Sequence, residues 1–401
     1  MAASVISTTA TQESTDFSLV LGGPLYQLFR RAHLAGETLE LARRRMIGVS
    51  LVAWLPLLAL AALHGQVLPG SSEMPFLLDI EVHVRFLIAL PLLIAAELIV
   101  HQRMRFVVKH FERREIVPER ARLQFDAAIA SLFRVRNSVL AEVLLVAFVY
   151  GVGILLVWRF YVVLDTNTWY TVPAVGGSEL SLAGLWYEYV SMPLFQFLLL
   201  RWYFRIALWT RFLWQVSRIR LSLIPTHPDR VGGLGFLANT AYAFVPLALA
   251  HGAVLSGMIA NRIFHFGASL PGFKVEILVI VVLVQLLVFA PLFVFAPQLA
   301  EAKRTGLSEY GALAERYVRE FDAKWLRGAA PHDEPLVGSA DIQSLADMGG
   351  SFEVVQGMRL APVTRDAILR LGVATLVPIA PLLLTIMPME ELVKRLFGML
   401  F

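Results

Sequence analysis

Residues 274–297 read KVEILVIVVLVQLLVFAPLFVFAP, and after Glu276 the only strongly polar side chain is Gln285. An α-helix rises about 1.5 Å per residue, so this run can cross a hydrocarbon core of about 30 Å. Further stretches of the chain have the same character, and together they predict an all-α membrane protein with about seven transmembrane helices. We place these spans at residues 46–64, 83–102, 138–158, 187–209, 239–260, 274–297 and 368–388.

The composition agrees with this pattern. Hydrophobic residues make up 57% of the chain and charged residues 16%, whereas an ordinary soluble domain is roughly half apolar and a quarter charged. The chain has no cysteine, which excludes disulfides, iron–sulfur clusters, thiolate zinc sites and a cysteine nucleophile. The first apolar stretch follows the basic run Arg43-Arg44-Arg45 and predicts an uncleaved span rather than a signal peptide.

The basic residues sort by loop and predict the orientation. Nine lie between Arg103 and Arg136 and nine between Lys303 and Arg370, whereas the segment 65–81 has none. The positive-inside rule therefore predicts a cytoplasmic N-terminus and an external C-terminus, in a multi-pass protein of the inner (cytoplasmic) membrane. The net charge of +4 is then an orientation signal that favours anionic lipid headgroups as partners, and no segment resembles a nucleic-acid-binding domain.

This topology divides the chain into four parts. A helical cytoplasmic loop is predicted at 103–137, and the helix of span four is expected to continue to about Leu223, along the interface, before a glycine loop. The parts are a cytoplasmic N-terminal segment at 1–45, spans one to six at 46–297 with an interfacial helix and glycine loop at 210–238, a cytoplasmic helical loop at 298–367, and span seven with an external C-terminal segment at 368–401.

The loop 298–367 begins with an apolar stripe at helical spacing, which must pack on another element. Ser339 and Thr364 are plausible N-caps of two later helices. These helices and those of the loop 103–137 predict a helical cytoplasmic cap below the membrane. The stripe consists of Tyr310, Leu313, Tyr317, Phe321 and Trp325.

Proline-centred patterns recur between spans. WLPL around Pro56 resembles FVPL around Pro246, and LPL around Pro91 resembles APL around Pro291. Both pairs run in the same direction, which suggests a parallel 3+1+3 repeat with span four as the connector and a site between the halves. The alternative is chance, because Pro, Leu and Ala coincide often in membrane helices.

Four ionisable residues fall inside the spans: Glu97, Glu142, Arg201 and His251. An isolated charge at that depth costs roughly 2.5–3.5 kcal/mol, so we predict that Arg201 contacts Glu97, Glu142 or both. The pair could act as a proton or ion relay or as a gate, or it could only fix the helix register. His251 could accept a proton, or it could be a neutral histidine satisfied by a neighbour.

The most distinctive string is THPDRVGGLGFL at residues 226–237. Gly232, Gly233 and Gly235 permit backbone conformations that could present amides to an anion, with Arg230 adding positive charge. His227 and Asp229 could instead be two ligands of a metal, although their spacing is a weak signal and we predict no metal site. The simplest alternative is a rigid elbow between a helix and span five.

This string and SADIQSLAD at residues 339–347 resemble strings in uncharacterised polytopic inner-membrane proteins of bacteria. The resemblance covers most of the chain. It implies a multi-span bacterial membrane protein, but no activity, so no functional residues are carried over from it.

Three functions are compatible with these residues. The first is permeation of an ion or small solute, using the charged residues within the spans. The second is a signalling or assembly component that acts through its cytoplasmic helices and glycine loop. The third, an enzyme using His227 and Asp229, ranks last because a second cluster of His or acidic residues is missing. We predict no catalytic residues and no cofactor, and a homo-oligomer is compatible with this composition.

Overall fold

A computed structural model describes residues 17–24, 26–27, 39–70, 74–158, 168–174 and 177–386. These described residues are about 78% helical, with almost no sheet. We number the helices α1 to α9 along the chain. The predicted external segment beyond residue 386 and most of the N-terminal segment lie outside the described residues.

Five of the described helices are long and apolar enough to cross a membrane. A sixth span results if two helices that meet at a bend of 48° count as one. These helices make the protein a multi-pass α-helical membrane protein. The five are Leu41–Leu63 in α1 (Leu39–Leu63), α2 (Ile80–Arg113), α6 (Leu234–Phe266), α7 (Leu270–Leu326), and Arg365–Thr385, which comprises α9 (Arg365–Leu376) and a 3₁₀ extension. The bent pair consists of Glu119–Arg136, which contains α3 (Arg122–Arg136), and Val139–Gly153, which contains α4 (Val139–Phe148).

The predicted span four lies in helix α5, at residues 182–216, and is not among these five. It consists of Leu182–Trp186, a π-helical turn at Tyr187–Ser191, and Met192–Val216. Arg201 and Arg205 lower its hydropathy, yet both side chains are buried within the bundle. The prediction that this helix continues to Leu223 is wrong, because it ends at Val216.

The backbone of the segment that follows α5 forms hydrogen bonds with residues of other elements, and not the internal hydrogen bonds of a helix. Gln298 Nε2 donates to the carbonyl oxygens of Ser217 and Ile219, at 2.6 and 2.7 Å. The amide of Ser222 donates to the carbonyl of Ile116 at 2.8 Å. These bonds satisfy backbone groups that a longer helix would have used internally.

Several helices change type near a proline. Pro91 follows a π-helical turn at Arg85–Ala89, and Pro291 lies in a 3₁₀ stretch at Ala290–Phe295. Pro378 and Pro381 lie in the 3₁₀ extension Val377–Thr385. Proline has no amide hydrogen to donate, so regular α-helical bonding cannot continue through these positions.

Helix α6 packs against α2, α7 and α9 through small residues. A Cβ atom on Gly252 would lie 2.0 Å from the carbonyl oxygen of Thr375, and one on Gly257 would lie 3.1 Å from Cα of Glu81. The hydroxyl of Ser256 also donates to the carbonyl of Pro378 at 2.7 Å. Close approach of backbones through small residues is the usual way in which membrane helices associate.

The connection between α4 and α5 contains a short antiparallel hairpin of β1 (Thr171–Ala174) and β2 (Gly177–Leu180), with Thr171 opposite Leu180. The buried carboxylate of Asp79 ties this connection to the bundle. It accepts from the indole of Trp169 at 2.9 Å and from the amide of Asn261 at 2.8 Å.

Helix α7 has 57 residues, so it is about 85 Å long and extends far beyond the hydrocarbon core. Its second half packs against α8 (Ala340–Gln356), and the predicted apolar stripe lies largely in this contact. Tyr317 Oη donates to the carbonyl of Asp341 at 3.1 Å, and Trp325 Nε1 donates to its carboxylate at 2.9 Å. Leu313 of the stripe is instead exposed.

The two predicted N-caps are confirmed. The hydroxyl of Ser339 accepts from the amide of Asp341 at the start of α8, and that of Thr364 accepts from the amide of Ala367 in α9. These bonds satisfy backbone donors that have no partner within the helix.

Candidate functional site

The first candidate site is a buried charge cluster centred on Glu97 of α2. Arg205 Nη2 lies 2.8 Å from Glu97 Oε1, and Arg201 Nη1 lies 3.9 Å from the same oxygen. Arg45, near the start of α1, forms an ion pair with the other carboxylate oxygen. The side chains of Glu97 and Arg201 are each 7% exposed.

The prediction that Arg201 contacts Glu97, Glu142 or both is confirmed, because it approaches both carboxylates. Besides its approach to Glu97, its Nη2 atom lies 3.6 Å from Glu142 Oε1 in α4. One guanidinium can serve two carboxylates because it presents five N–H donors in a planar fork. The cluster therefore links α1, α2, α4 and α5.

Two members of this cluster, Arg205 and Arg45, were not predicted from the sequence. Arg205 follows Arg201 by four residues, which places both side chains on one face of α5. That spacing could have identified it. Arg45 belongs to a basic triplet that also served as an orientation signal, and its own sequence context does not distinguish it from Arg43 or Arg44.

The cluster is closed by the described part of the N-terminal segment, at residues 17–24. A Cβ atom on Gly23 would lie 2.8 Å from Glu142 Oε1. Arg136 donates to the carbonyl of Ser18, and Asn137 Oδ1 accepts from the amide of Gly23 at 3.1 Å. The cavity at the cluster, lined by Glu142, Arg201 and Arg205 among others, measures only about 10 Å³, which is about enough for one water molecule.

A larger cavity of about 240 Å³ lies between α2, α5, α6 and α7. Its polar residues are Glu81, Arg85, Tyr203 and His251, and the remaining walls are apolar. A mostly apolar cavity with a few convergent polar groups is the usual form of a small-molecule site. The apolar lining consists of Leu93, Phe195, Leu199, Ala250, Val254, Leu255, Met258 and Ile280.

Arg85 lies at the first residue of the π-helical turn in α2. Its Nη1 donates to the hydroxyl of Tyr187 at 2.7 Å, and its Nη2 forms an ion pair with Glu81. Tyr187 in turn begins the π-helical turn of α5. π-helical turns within α-helices occur frequently at functional sites, and here a side-chain hydrogen bond joins two of them.

His251 does not share the partners of the Glu97 cluster. Its Nδ1 lies 2.7 Å from the carbonyl oxygen of Leu247, and its Nε2 lies 2.8 Å from the hydroxyl of Tyr203. A carbonyl oxygen only accepts, so Nδ1 carries the hydrogen. In the neutral ring, Nε2 then accepts from the Tyr203 hydroxyl.

Trp202 contacts a residue of the cavity and a residue of the cluster. Its indole N–H donates at 2.9 Å to the carbonyl of Leu93, a residue that lines the cavity. The guanidinium of Arg205 lies 4.9 Å from the centre of its ring, within the range of a cation–π contact. Trp202 is 1% exposed, so it makes both contacts inside the bundle.

The glycine loop contains its own anion. Asp229 Oδ1 accepts from the amides of Val231 at 2.9 Å and Gly233 at 3.1 Å, and Oδ2 accepts from Gly235 at 2.8 Å. Burial alone would raise the pKa of Asp229, but these three amides, with His227 at 2.9 Å, lower it below its ordinary value. An external anion would have to displace this carboxylate.

Backbone geometry explains the glycines of this loop. Gly232 and Gly233 have φ angles of 65° and 99°, which residues other than glycine rarely adopt. A Cβ atom on Gly235 would lie 2.9 Å from Cβ of Asp229. Arg230 also has a positive φ angle, of 56°. Its carbonyl oxygen accepts a hydrogen bond from the backbone amide of Arg359 at 2.8 Å, which ties the loop to the segment between α8 and α9.

Within the described residues, no group of three or more His, Asp or Glu side chains is arranged to hold a metal. Asp341, which could have joined His227 and Asp229, bonds instead to Lys324 at 2.8 Å and to Trp325 at 2.9 Å.

Comparisons with protein-family models, with curated proteins and with solved structures found no match. The fold and the buried polar groups therefore define only the class, a multi-pass α-helical membrane protein with charged and polar side chains inside its helical bundle.

Proposed function

We propose that this protein carries a small solute or an ion across the membrane through the polar groups inside its bundle. The observation that supports this proposal is the alignment of the cavity with the charge cluster along α2. Leu93 lines the cavity, and Glu97 follows it by four residues, about 6 Å along the helix. Trp202 contacts both Leu93 and Arg205 and is the gate in this proposal.

A seven-span topology accompanies the proposed function, with α5 as the additional span, the N-terminus cytoplasmic and the C-terminus external. The basic residues support this orientation, because they concentrate around α3, along the extension of α7, and from the loop after α8 into the first turns of α9. Reporter fusions in the loop between α8 and α9 test the topology. An external reporter at that position contradicts it.

A parallel repeat of three spans would place a site between two halves. Pro91 and Pro291 support it, because each lies next to a departure from α-helical geometry. Pro56 and Pro246 support it less, since Pro56 lies within a continuous α-helix and Pro246 follows a 3₁₀ stretch.

We infer the bacterial inner membrane as the location, on the basis of the resemblance of residues 226–237 to bacterial inner-membrane proteins. The basic loops favour binding of anionic lipid headgroups at the cytoplasmic surface. A homo-oligomer is compatible with the apolar lipid-facing surfaces.

A second candidate function is a membrane-bound signalling or assembly component. The observation that favours it is the apolar surface left on the α7–α8 hairpin and its connecting loop. Leu326 is 69% exposed and Val337 is 89% exposed, in a part of the chain that extends beyond the core of the bundle. Such residues are typical of a partner surface when they cluster.

Flux measurements in proteoliposomes, across a panel of ions, small solutes and pH gradients, test the proposed function. We expect flux in wild type and a loss of at least about tenfold in Glu97→Gln, in Glu142→Gln and in Arg201→Gln. Glu276→Gln is the matched control, because Glu276 is an exposed carboxylate in another membrane helix.

Two outcomes would contradict permeation. The first is an absence of flux in wild type throughout the panel. The second is flux that stays intact in all three cluster variants while only their thermal stability changes, which would assign the cluster a purely structural role. Retention of flux together with loss of a captured cytoplasmic partner on Val337→Ser would instead support the second candidate.

A further inference from the structure

We propose that the 240 Å³ cavity binds a small uncharged amphipathic molecule with a hydroxyl head, an alcohol or a phenol. This inference rests on the proposed function and deepens it, because it assigns the cavity a ligand of stated chemistry. Three properties of the cavity limit the ligands that it can bind: its hydrogen-bonding capacity, its charge, and its apolar walls.

The first step is the hydrogen-bond inventory at His251. Its Nδ1–H is used by the carbonyl of Leu247, so its Nε2 is the acceptor for the hydroxyl hydrogen of Tyr203. The Tyr203 hydroxyl has one hydrogen and two lone pairs. Because its hydrogen is engaged, the group that Tyr203 offers to a ligand in the cavity is an acceptor.

Glu81 also offers hydrogen-bond acceptors to a ligand. One of its carboxylate oxygens pairs with Arg85, and a carboxylate has further lone pairs on its second oxygen. Arg85, the cationic donor in the lining, directs Nη1 to Tyr187 and Met192 and Nη2 to Glu81. Three of the five N–H donors of Arg85 are thus engaged, whereas Tyr203 and Glu81 both offer acceptors. A ligand that satisfies these acceptors must carry an O–H or N–H donor.

The second step is the charge of the cavity. Glu81 and Arg85 neutralise each other, and the hydrogen bonds of His251 and Tyr203 match their neutral forms. A charged ligand would lose its hydration without meeting an uncompensated opposite charge, which is unfavourable in a site of low polarity. An ammonium group would also compete with Arg85 for Glu81. These conditions favour an uncharged O–H donor.

The third step is the size and polarity of the walls. Apart from the four polar side chains, every lining residue is aliphatic or aromatic. The volume of about 240 Å³ is far larger than that of the 10 Å³ cavity at the charge cluster, which is about enough for one water molecule. The ligand therefore has an apolar body comparable to a short alkyl chain or an aromatic ring, with the hydroxyl directed at Tyr203 and Glu81.

Binding to the full chain in lipid nanodiscs tests the inference directly. We would titrate para-butylphenol and para-butylanisole by calorimetry, with empty nanodiscs correcting for partition into lipid. The two probes differ only in the head group, which is a hydroxyl in the phenol and a methyl ether, without a hydrogen to donate, in the anisole. We expect saturable binding of the phenol and roughly fivefold or more weaker binding of the anisole, the loss typical of one missing hydrogen bond.

Matched variants locate the site. Val254→Trp in α6 fills the cavity and should abolish saturable binding. Leu278→Trp is the control: Leu278 lies on the neighbouring helix α7 and is 62% exposed, so this variant should leave the affinity for the phenol within about twofold of wild type. Leu199→Trp fills the cavity from α5 and serves if the first variant does not fold.

Equal affinities of the two probes in wild type, or binding unchanged by both filling variants, would overturn the inference. Its failure is distinguishable from failure of the proposed function, because binding is measured without a gradient. Saturable, cavity-dependent phenol binding with no flux of any solute would leave the site intact and contradict permeation. Flux without phenol binding would support permeation and contradict the proposed ligand site.

Discussion

Arg205 holds its guanidinium 2.8 Å from a carboxylate oxygen of Glu97, and the two side chains are only 5% and 7% exposed. Arg45 and Arg201 contact the same carboxylate. Three arginines from two helices thus converge on one acidic residue of a third helix. Removing that residue leaves like charges facing each other inside the bundle.

Glu97→Gln should therefore destabilise the protein strongly. Breaking a buried ion pair by removing one partner typically costs about 3–5 kcal/mol. Thermal unfolding in detergent, followed by tryptophan fluorescence, measures the effect. The exposed Glu276 provides the control Glu276→Gln, for which a change within about 0.5 kcal/mol is expected. Similar unfolding temperatures for the two variants would show that the arginines do not depend on Glu97.

Gly252→Ala should separate α6 from α9. The added Cβ would lie 2.0 Å from the carbonyl oxygen of Thr375, so the backbones must move apart, at a cost of about 1–3 kcal/mol. Gly48→Ala in α1 is the matched control, because a Cβ there meets no atom within 4 Å. Alanine also favours the helix. A drop in unfolding temperature for Gly48→Ala equal to that for Gly252→Ala would contradict the packing argument.

Asp229→Asn should weaken the glycine loop, because Asp229 accepts three backbone amides. The expected loss is about 1–3 kcal/mol. The folded-state pKa of Asp229 is lowered from 3.8, so its contribution is complete above that pH and is lost as the pH falls through the folded value. The stability difference between wild type and variant should therefore be constant from neutral pH to about pH 4 and shrink below it. A difference that grows on acidification would contradict this assignment.

Asp341→Ala should loosen the contact between α7 and α8. The hydrogen bond from Lys324, followed by that from Trp325, lowers the pKa of Asp341, while Lys324 has its own pKa raised by Asp341 and then by Glu334. Limited proteolysis should cut the connecting loop faster in this variant than in wild type. Asp347→Ala, an exposed position of the same helix, controls for the loss of a carboxylate. Equal cutting rates in both variants would contradict a clamp at Asp341.

Much of the charge cluster was predictable. Counting residues along the spans placed Glu97, Glu142 and Arg201 at similar depth, and buried charges pair because isolation is costly. Arg45 was not predictable in this way, because the choice among three consecutive arginines depends on the rotation of α1. The predicted seven-span count, orientation and repeat remain predictions.

Other features depended on contacts that no local pattern encodes. The glycines of residues 226–237 indicated unusual backbone conformations, but they did not indicate that Asp229 would accept the amides itself. The cavity beside His251 was equally hidden, since its lining comes from separate helices.

The sequence by itself determined that this protein is helical and crosses the membrane several times, because the length and polarity of each apolar run are local properties. It also determined that Arg201 needs a carboxylate partner, because burial of a lone charge is costly. Only the tertiary structure decided that Arg205 and Arg45 share Glu97, that Trp202 contacts both Leu93 and Arg205, and that His251 faces Tyr203. Those relationships depend on the rotation and spacing of packed helices, which arise from contacts between residues far apart in the chain.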